Sequence, residues 1–167
     1  ALPPAMGTNF RGNKLEFLTP SDNSIAISNG GKIVSVNNCT IEYYTEDGTP
    51  LQQNTTWNDF LNNDTSLLLG KYDPRVLYDN IHDRFITIIL HGPLSKTKNK
   101  IILAFSKTNN PVDGWHIYTV NGNPYADSSF CDYPNMGITN NELFINLNLF
   151  KNFSPYNYNQ TVIYQFA

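Results

Sequence analysis

The stretch that decides the fold runs Asp73-Pro74-Arg75-Val76-Leu77-Tyr78-Asp79, turns through Asn80 to Asp83, and continues as Arg84-Phe85-Ile86-Thr87-Ile88-Ile89-Leu90. Two runs rich in β-branched and aromatic residues, joined by a short Asn/Asp turn, read as an antiparallel hairpin. The second run is apolar on both faces, which predicts a strand covered from both sides. A third run, Lys100 to Ser106, follows, and then a fourth, Trp115 to Val120, after the turn Asn109-Asn110-Pro111-Val112-Asp113-Gly114. Four consecutive antiparallel strands make one blade of a β-propeller, and neighbouring blades that cover both faces account for the lost polar alternation.

Two other segments can be laid on this one. Ser24-Ile25-Ala26-Ile27-Ser28, a Gly30-Gly31 turn and Lys32-Ile33-Val34-Ser35-Val36 form the first, with Thr40 to Tyr44 as its third strand. Met136-Gly137-Ile138-Thr139, an Asn140-Asn141 turn and Glu142-Leu143-Phe144-Ile145-Asn146-Leu147 form the last, with Thr161 to Phe166 as its third strand. Units therefore span 22–55, 73–120 and 132–167 within a propeller-like domain at 20–167, preceded by an N-terminal extension at 1–19. Residues 56–72 read as an insert. There Thr56 stands three residues before Asp59, and Trp57, Phe60 and Leu61 share a helical face, so one or two turns of helix are expected. The third unit stops at Phe166-Ala167 after its third strand, whereas a closed ring takes about four to eight blades. The expectation is an all-β chain of antiparallel four-stranded blades making a partial propeller. The rest of the ring would come from a longer parent chain or from a second copy. A β-sandwich satisfies the same alternation and is the alternative.

Composition narrows the function classes. The chain has 167 residues, 40% apolar and only 15% charged, with Asn its commonest residue and ten each of Tyr and Phe. That balance resembles secreted β proteins more than cytosolic helical ones. The net charge of −3 without a Lys/Arg cluster gives no basic face for nucleic acid. No apolar run approaches the ~20 residues of a membrane-spanning helix, so membrane insertion is not expected. The first residue is Ala1, as expected after removal of a leader, and the chain reads as exported, secreted or at the cell surface. Cys39 and Cys131 share no metal-ligand spacing. They read either as two independent thiols or as a disulfide between blades, which an oxidising compartment would favour. Sequons occur at Asn38, Asn54, Asn63, Asn152 and Asn159, in a chain Asn-rich enough to produce them by chance.

The motif Asp73-Pro74-Arg75-Val76-Leu77-Tyr78-Asp79 with Asp83-Arg84-Phe85, then Ile102-Leu103-Ala104-Phe105-Ser106-Lys107-Thr108, Pro111 and Trp115, and then Asp132-Tyr133-Pro134 with Gly137, resembles a signature of large secreted bacterial propeller proteins. The run from Pro20 to Thr49, with Asn37 and Asp47-Gly48, is similar to the blade that usually precedes it. The resemblance covers most of the chain and implies export and a longer parent. It implies no activity, because the family is largely of unassigned function and the fold hosts hydrolases, lectins and scaffolds alike.

Residues ahead of the first strand of a blade reach one rim of a propeller. Asp73 and Asp132 are expected at equivalent positions ahead of blades two and three, projecting together near the axis with Tyr72, Arg75 and Tyr133 beside them as ligand-binding candidates. Two convergent carboxylates can hold Ca²⁺ or act as an acid/base pair, although an Asp before a Pro turn more often caps backbone N–H groups. Ser106, Asp113, Gly114 and Trp115 keep the residue order of an Asp-box at a different spacing, and read as a turn brace. Asp79, His82, Asp83 and Arg84 cluster at a hairpin tip, where solvated turn formers are usual. His91 and His116 are isolated, and neither a P-loop, a GxGxxG nor a GxSxG elbow occurs. Trp57, Tyr72, Tyr125, Tyr133, Tyr156 and Tyr158 sit in turn-rich stretches, where they serve as packing lids or as rings that stack on sugars and peptides.

The leading expectation is a non-catalytic adhesion or binding module that recognises glycan or protein through one rim. The rival is a carbohydrate-active hydrolase using Asp73 and Asp132. A purely structural segment of a larger exported protein is the third class. No cofactor other than Ca²⁺ is suggested.

Overall fold

A computed structural model of the chain describes residues 3–14, 20–68, 70–92, 99–125, 127–153 and 155–167, without the side chains of Asn152, Phe153 and Tyr156. The sequon at Asn152 and the ring of Tyr156 thus lie outside what is described. Three antiparallel sheets follow one another along the chain. The first holds β1 (Ser24–Ile27), β2 (Lys32–Val36), β3 (Thr40–Thr45) and β4 (Pro50–Thr56). The second holds β5 (Lys71–Asp79), β6 (Arg84–His91), β7 (Lys100–Ser106) and β8 (Trp115–Asn121). The third holds β9 (Phe130–Ile138), β10 (Leu143–Phe153) and β11 (Tyr156–Phe166).

Each sheet is a simple meander in chain order, and none borrows a strand from another. Their first strands are neighbours, β5 lying between β1 and β9. Sheets that meet along their first strands and fan outward are propeller blades, and the sandwich alternative, with its two stacked sheets, is not formed.

Two apolar layers hold the blades together. Between the first and second sheets lie Val34, Val36, Ile41 and Tyr43 against Phe85, Ile89 and Ile102. Between the second and third lie Ile86, Ile88, Leu90, Ile101 and Leu103 against Ile145, Leu147 and Leu149. Strand β6 thus sends alternate residues into different layers, and every residue from Phe85 to His91 is buried. Each such aliphatic side chain contributes about 1.5–3 kcal/mol relative to exposure. The outer strands β4 and β8 keep exposed polar positions, as edges must.

The helix expected around Thr56 is present as α1 (Trp57–Phe60), with Thr56 and Asp59 forming a reciprocal capping box. Trp57 is buried, donates to the Asn37 carbonyl at 2.8 Å, and meets Phe60 edge to face. In the Ser106–Trp115 loop, Gly114 takes φ 96°, the Thr108 hydroxyl donates to Asp113 at 2.6 Å, and Trp115 stacks on Tyr43 across the first layer. The N-terminal extension reaches the outward face of the first sheet. Phe10 packs on Tyr44, and Asn13 donates to the Ser35 carbonyl at 3.0 Å.

Two expectations need correction, and the two alternatives for the cysteines are decided. Residues 50–56 form a fourth strand that runs into the region assigned to the insert. Its Pro-Leu-Gln-Gln-Asn-Thr-Thr sequence shows no apolar alternation because it is an edge strand paired only with β3. Strands β5 and β9 begin earlier than Arg75 and Met136, since each continues through a bulge. Cys39 and Cys131 are both free thiols. Cys131 is enclosed in the second apolar layer, where burial pushes its thiol up to about 12, and no disulfide joins it to the half-buried Cys39.

Candidate functional site

The site is built from two bulges of the same kind. Opposite β6 the pairing steps from Tyr72 directly to Arg75, so Asp73-Pro74 is the bulged pair. Opposite β10 it steps from Asp132 to Asn135, so Tyr133-Pro134 is the bulged pair. A bulge tolerates Pro because it leaves the ladder there without needing an N–H, and it bends the strand and re-aims the side chain before it. Asp73 and Tyr133 both lie at left-handed φ, 54° and 51°, and Asp22 ahead of β1 does the same at 47°. The equivalent of Asp73 is therefore Tyr133. Asp132 corresponds to Tyr72, one position earlier than the sequence alignment of the units suggests.

A relay of amide acceptors ties these three rim positions together. Asn38, in the β2–β3 turn, donates to Asp22 Oδ2 at 2.7 Å and to the Pro20 carbonyl at 2.9 Å, while its Oδ1 accepts the Asp73 N–H at 2.8 Å. Asp73 Oδ2 in turn accepts the Tyr133 N–H at 2.9 Å. Asp73 and Tyr133 are thus each held by a side-chain oxygen from the preceding sheet, which offsets the cost of their φ. Asn38 went unnoticed in the sequence as anything but a sequon. Its side-chain amide is already engaged and it is buried.

Asp73 and Asp132 do converge, close enough for the Asp73 carboxyl to act directly on that of Asp132. Burial is the main reason that the Asp132 carboxyl is held well above the usual carboxylate range, followed by the neighbouring carboxyl of Asp73, with the charge of Asp22 adding to the effect. Among the described residues no group of three or more His, Cys, Asp or Glu side chains is placed to hold a metal ion.

The other expected residues divide by role. Arg75 lays its guanidinium over the Tyr133 ring, 5.5 Å from the centroid, and donates to the Pro74 carbonyl at 2.9 Å. Tyr133 is 59% exposed. Tyr72 turns inward, its ring against the second apolar layer and its hydroxyl donating to the Cys131 carbonyl at 2.8 Å. Tyr125 precedes β9 at the same rim, and Tyr158 pairs there with Phe150, whose own partner is Phe130. Tyr125 and Tyr158 are 54% and 55% exposed. Three open phenol rings therefore share the rim that carries the paired aspartates, while Trp57 is a packing lid.

The rim belongs to a molecule built of propeller blades. No protein-family model matches the sequence, and no curated protein does. Among solved structures, an alpha-L-arabinanase mutant from Cellvibrio cellulosa is similar, with a TM-score of 0.49 and 15% identity over 86% of this chain and 51% of that one. The chain spans about half the length of that structure.

Proposed function

We propose that the chain is a non-catalytic binding module of an exported or surface protein, which takes a glycan on the rim where β5 and β9 begin. The observation that carries this reading is the set of exposed rings at that rim, Tyr125, Tyr133 and Tyr158. Tyr133 is the fixed one: its backbone is held by Asp73 and its ring is backed by Arg75. A ring locked before the ligand arrives loses little entropy on binding, and its face suits the C–H surface of a sugar, while the neighbouring carboxyls accept from hydroxyls. Titration calorimetry against a panel of neutral and acidic oligosaccharides is expected to find a binder. Tyr133→Ala should weaken it about tenfold or more, roughly 1.4 kcal/mol. A panel without a single binder would overturn the reading.

A hydrolase is the second reading, favoured by the environment of Asp132, where burial and the Asp73 carboxyl hold its carboxyl above the usual carboxylate range. A general acid needs that property. Release of reducing ends that is abolished by Asp132→Asn would establish this reading in place of the first.

A further inference from the structure

Deamidation of an asparagine needs an uncommitted side-chain amide, a following backbone N–H free to give up its proton, and no side chain on that next residue to hinder the nitrogen. Glycine supplies the last. Asn or Asp precedes Gly at four places in the chain, Asn29-Gly30, Asp47-Gly48, Asp113-Gly114 and Asn121-Gly122. The fold protects three of them. Gly122 is buried, its N–H donates to the Asn99 carbonyl at 3.0 Å, and Asn121 Oδ1 accepts the Asn123 N–H at 3.1 Å. The Gly48 N–H donates to the Thr45 carbonyl at 2.9 Å, and bonds from Thr45 and Thr49 hold the Asp47 carboxyl below the ordinary range, as a carboxylate that resists a nitrogen nucleophile. Asp113 is braced by the Thr108 hydroxyl at 2.6 Å and the Asn110 amide at 3.1 Å.

Asn29-Gly30 is the exception. It forms the tip of the β1–β2 hairpin, where the Ser28 carbonyl accepts the Gly31 N–H at 3.0 Å, the Ser28 N–H donates to the Lys32 carbonyl at 2.8 Å, and Gly31 takes φ 69°. In a turn closed in this way by a left-handed glycine, the N–H of the third residue, here Gly30, stands outside the closing bonds. Both residues are exposed, and among the described residues neither the Asn29 side chain nor the Gly30 N–H has a hydrogen-bond partner.

We propose that Asn29 is a site of spontaneous deamidation in the folded chain, and that the change loosens β1. The Gly30 nitrogen, its proton lost to hydroxide, attacks Asn29 Cγ. The Cγ–Nδ2 bond breaks, ammonia leaves with a proton from water, and a five-membered succinimide closes. Water then opens one of its two carbonyls, giving aspartate or isoaspartate, with nothing oxidised or reduced. Either product adds a negative charge, and isoaspartate also carries the main chain through Cγ, one atom longer than before. The longer chain no longer fits between the two closing bonds of Ser28, so the Ile27 to Ile33 pairing beside the turn is the first to fray. Further along β1, Ser24 Oγ accepts the Val76 N–H at 3.1 Å and ties this strand to β5. The site lies at the end of β1 away from Asp22 and is independent of the glycan reading.

The test ages the whole folded chain in mildly alkaline buffer beside a sample unfolded in urea, and maps both by peptide mass spectrometry, with isoaspartate counted by an isoaspartyl methyltransferase. In the folded chain Asn29 is expected to convert at least about tenfold faster than Asn121, where local opening must first release the Gly122 N–H. In urea the two asparagines, both followed by glycine, should convert at similar rates. Amide exchange in the aged chain is expected to quicken in β1 and to stay unchanged in β6, and Gly30→Ala should suppress both the conversion and the quickening. Equal conversion of Asn29 and Asn121 in the folded chain, or an Asn29 that converts only in urea, overturns the proposal. Unchanged exchange in β1 of isoaspartate-bearing chains overturns the loosening. The comparison of two sites within one chain decides the matter even if Gly30→Ala fails to fold.

Discussion

At the scale of single residues, Asn38 has the largest structural consequence for its size. One amide side chain serves three partners in two sheets, and its loss strands the Asp73 N–H at a residue already in a left-handed conformation. Asn38→Ala is expected to destabilise the chain by about 1–3 kcal/mol, read as a lower urea midpoint at unchanged slope. Two titrating groups act with opposite sign. Burial, with Lys71 and Lys100 nearby, lowers His91 to about 4, and its ring nitrogens have no hydrogen-bond partner among the described residues. Its contribution is therefore full above the ordinary histidine value of ~6.5 and is lost as pH falls toward about 4. Asp132 is raised, so its contribution is full below the ordinary aspartate value of ~4 and is lost as pH rises through its folded value. Urea midpoints measured across pH should show His91→Leu flattening the acid limb and Asp132→Asn flattening the neutral one. Unchanged limbs would mean that neither group differs between folded and unfolded chains.

At the scale of elements, packing across the first layer concentrates on Trp115. It stacks on Tyr43, meets Phe60 edge to face, and donates to the Pro111 carbonyl at 3.1 Å. Trp115→Ala is expected to cost about 3–5 kcal/mol, measured by thermal or urea unfolding. A cost near zero would show that the loop closes without the ring. The hairpins were legible in the sequence because a strand covered on both faces, such as Phe85 to Leu90, has no other use for so continuous an apolar run. The capping box at Thr56 was legible for an equally local reason. Strand β4 was not, since an edge strand selects for polarity rather than pattern. The bulges also escaped, because Asp-Pro and Tyr-Pro read as turns when nothing shows that the ladder resumes behind them. That is why Asp132 was matched to Asp73, although the two carboxyls do converge.

At the scale of the molecule, the three blades form an arc whose middle sheet is enclosed. The outward faces of the end sheets expose Ile25 and Ile27 on β1 and Ile163 on β11. Amide hydrogen exchange is expected to be slowest in β6 and β7, which open only with the whole structure, and fastest in β4 and the solvent edge of β11. Equal protection of β4 and β6 would contradict the layered arrangement.

The relay through Asn38 and Asp73 has a bearing on ancestry and on engineering. Because the acceptors for the Asp73 and Tyr133 N–H groups are each supplied by the sheet before, a blade is not a self-contained cassette. Duplicating or transplanting the second blade alone would deliver Asp73 without Asn38 and would leave Tyr133 facing a foreign neighbour. The smallest portable unit is one blade together with the preceding turn, so exchanges that keep this rim intact should have their junctions ahead of Asn37 rather than in the linker at α1.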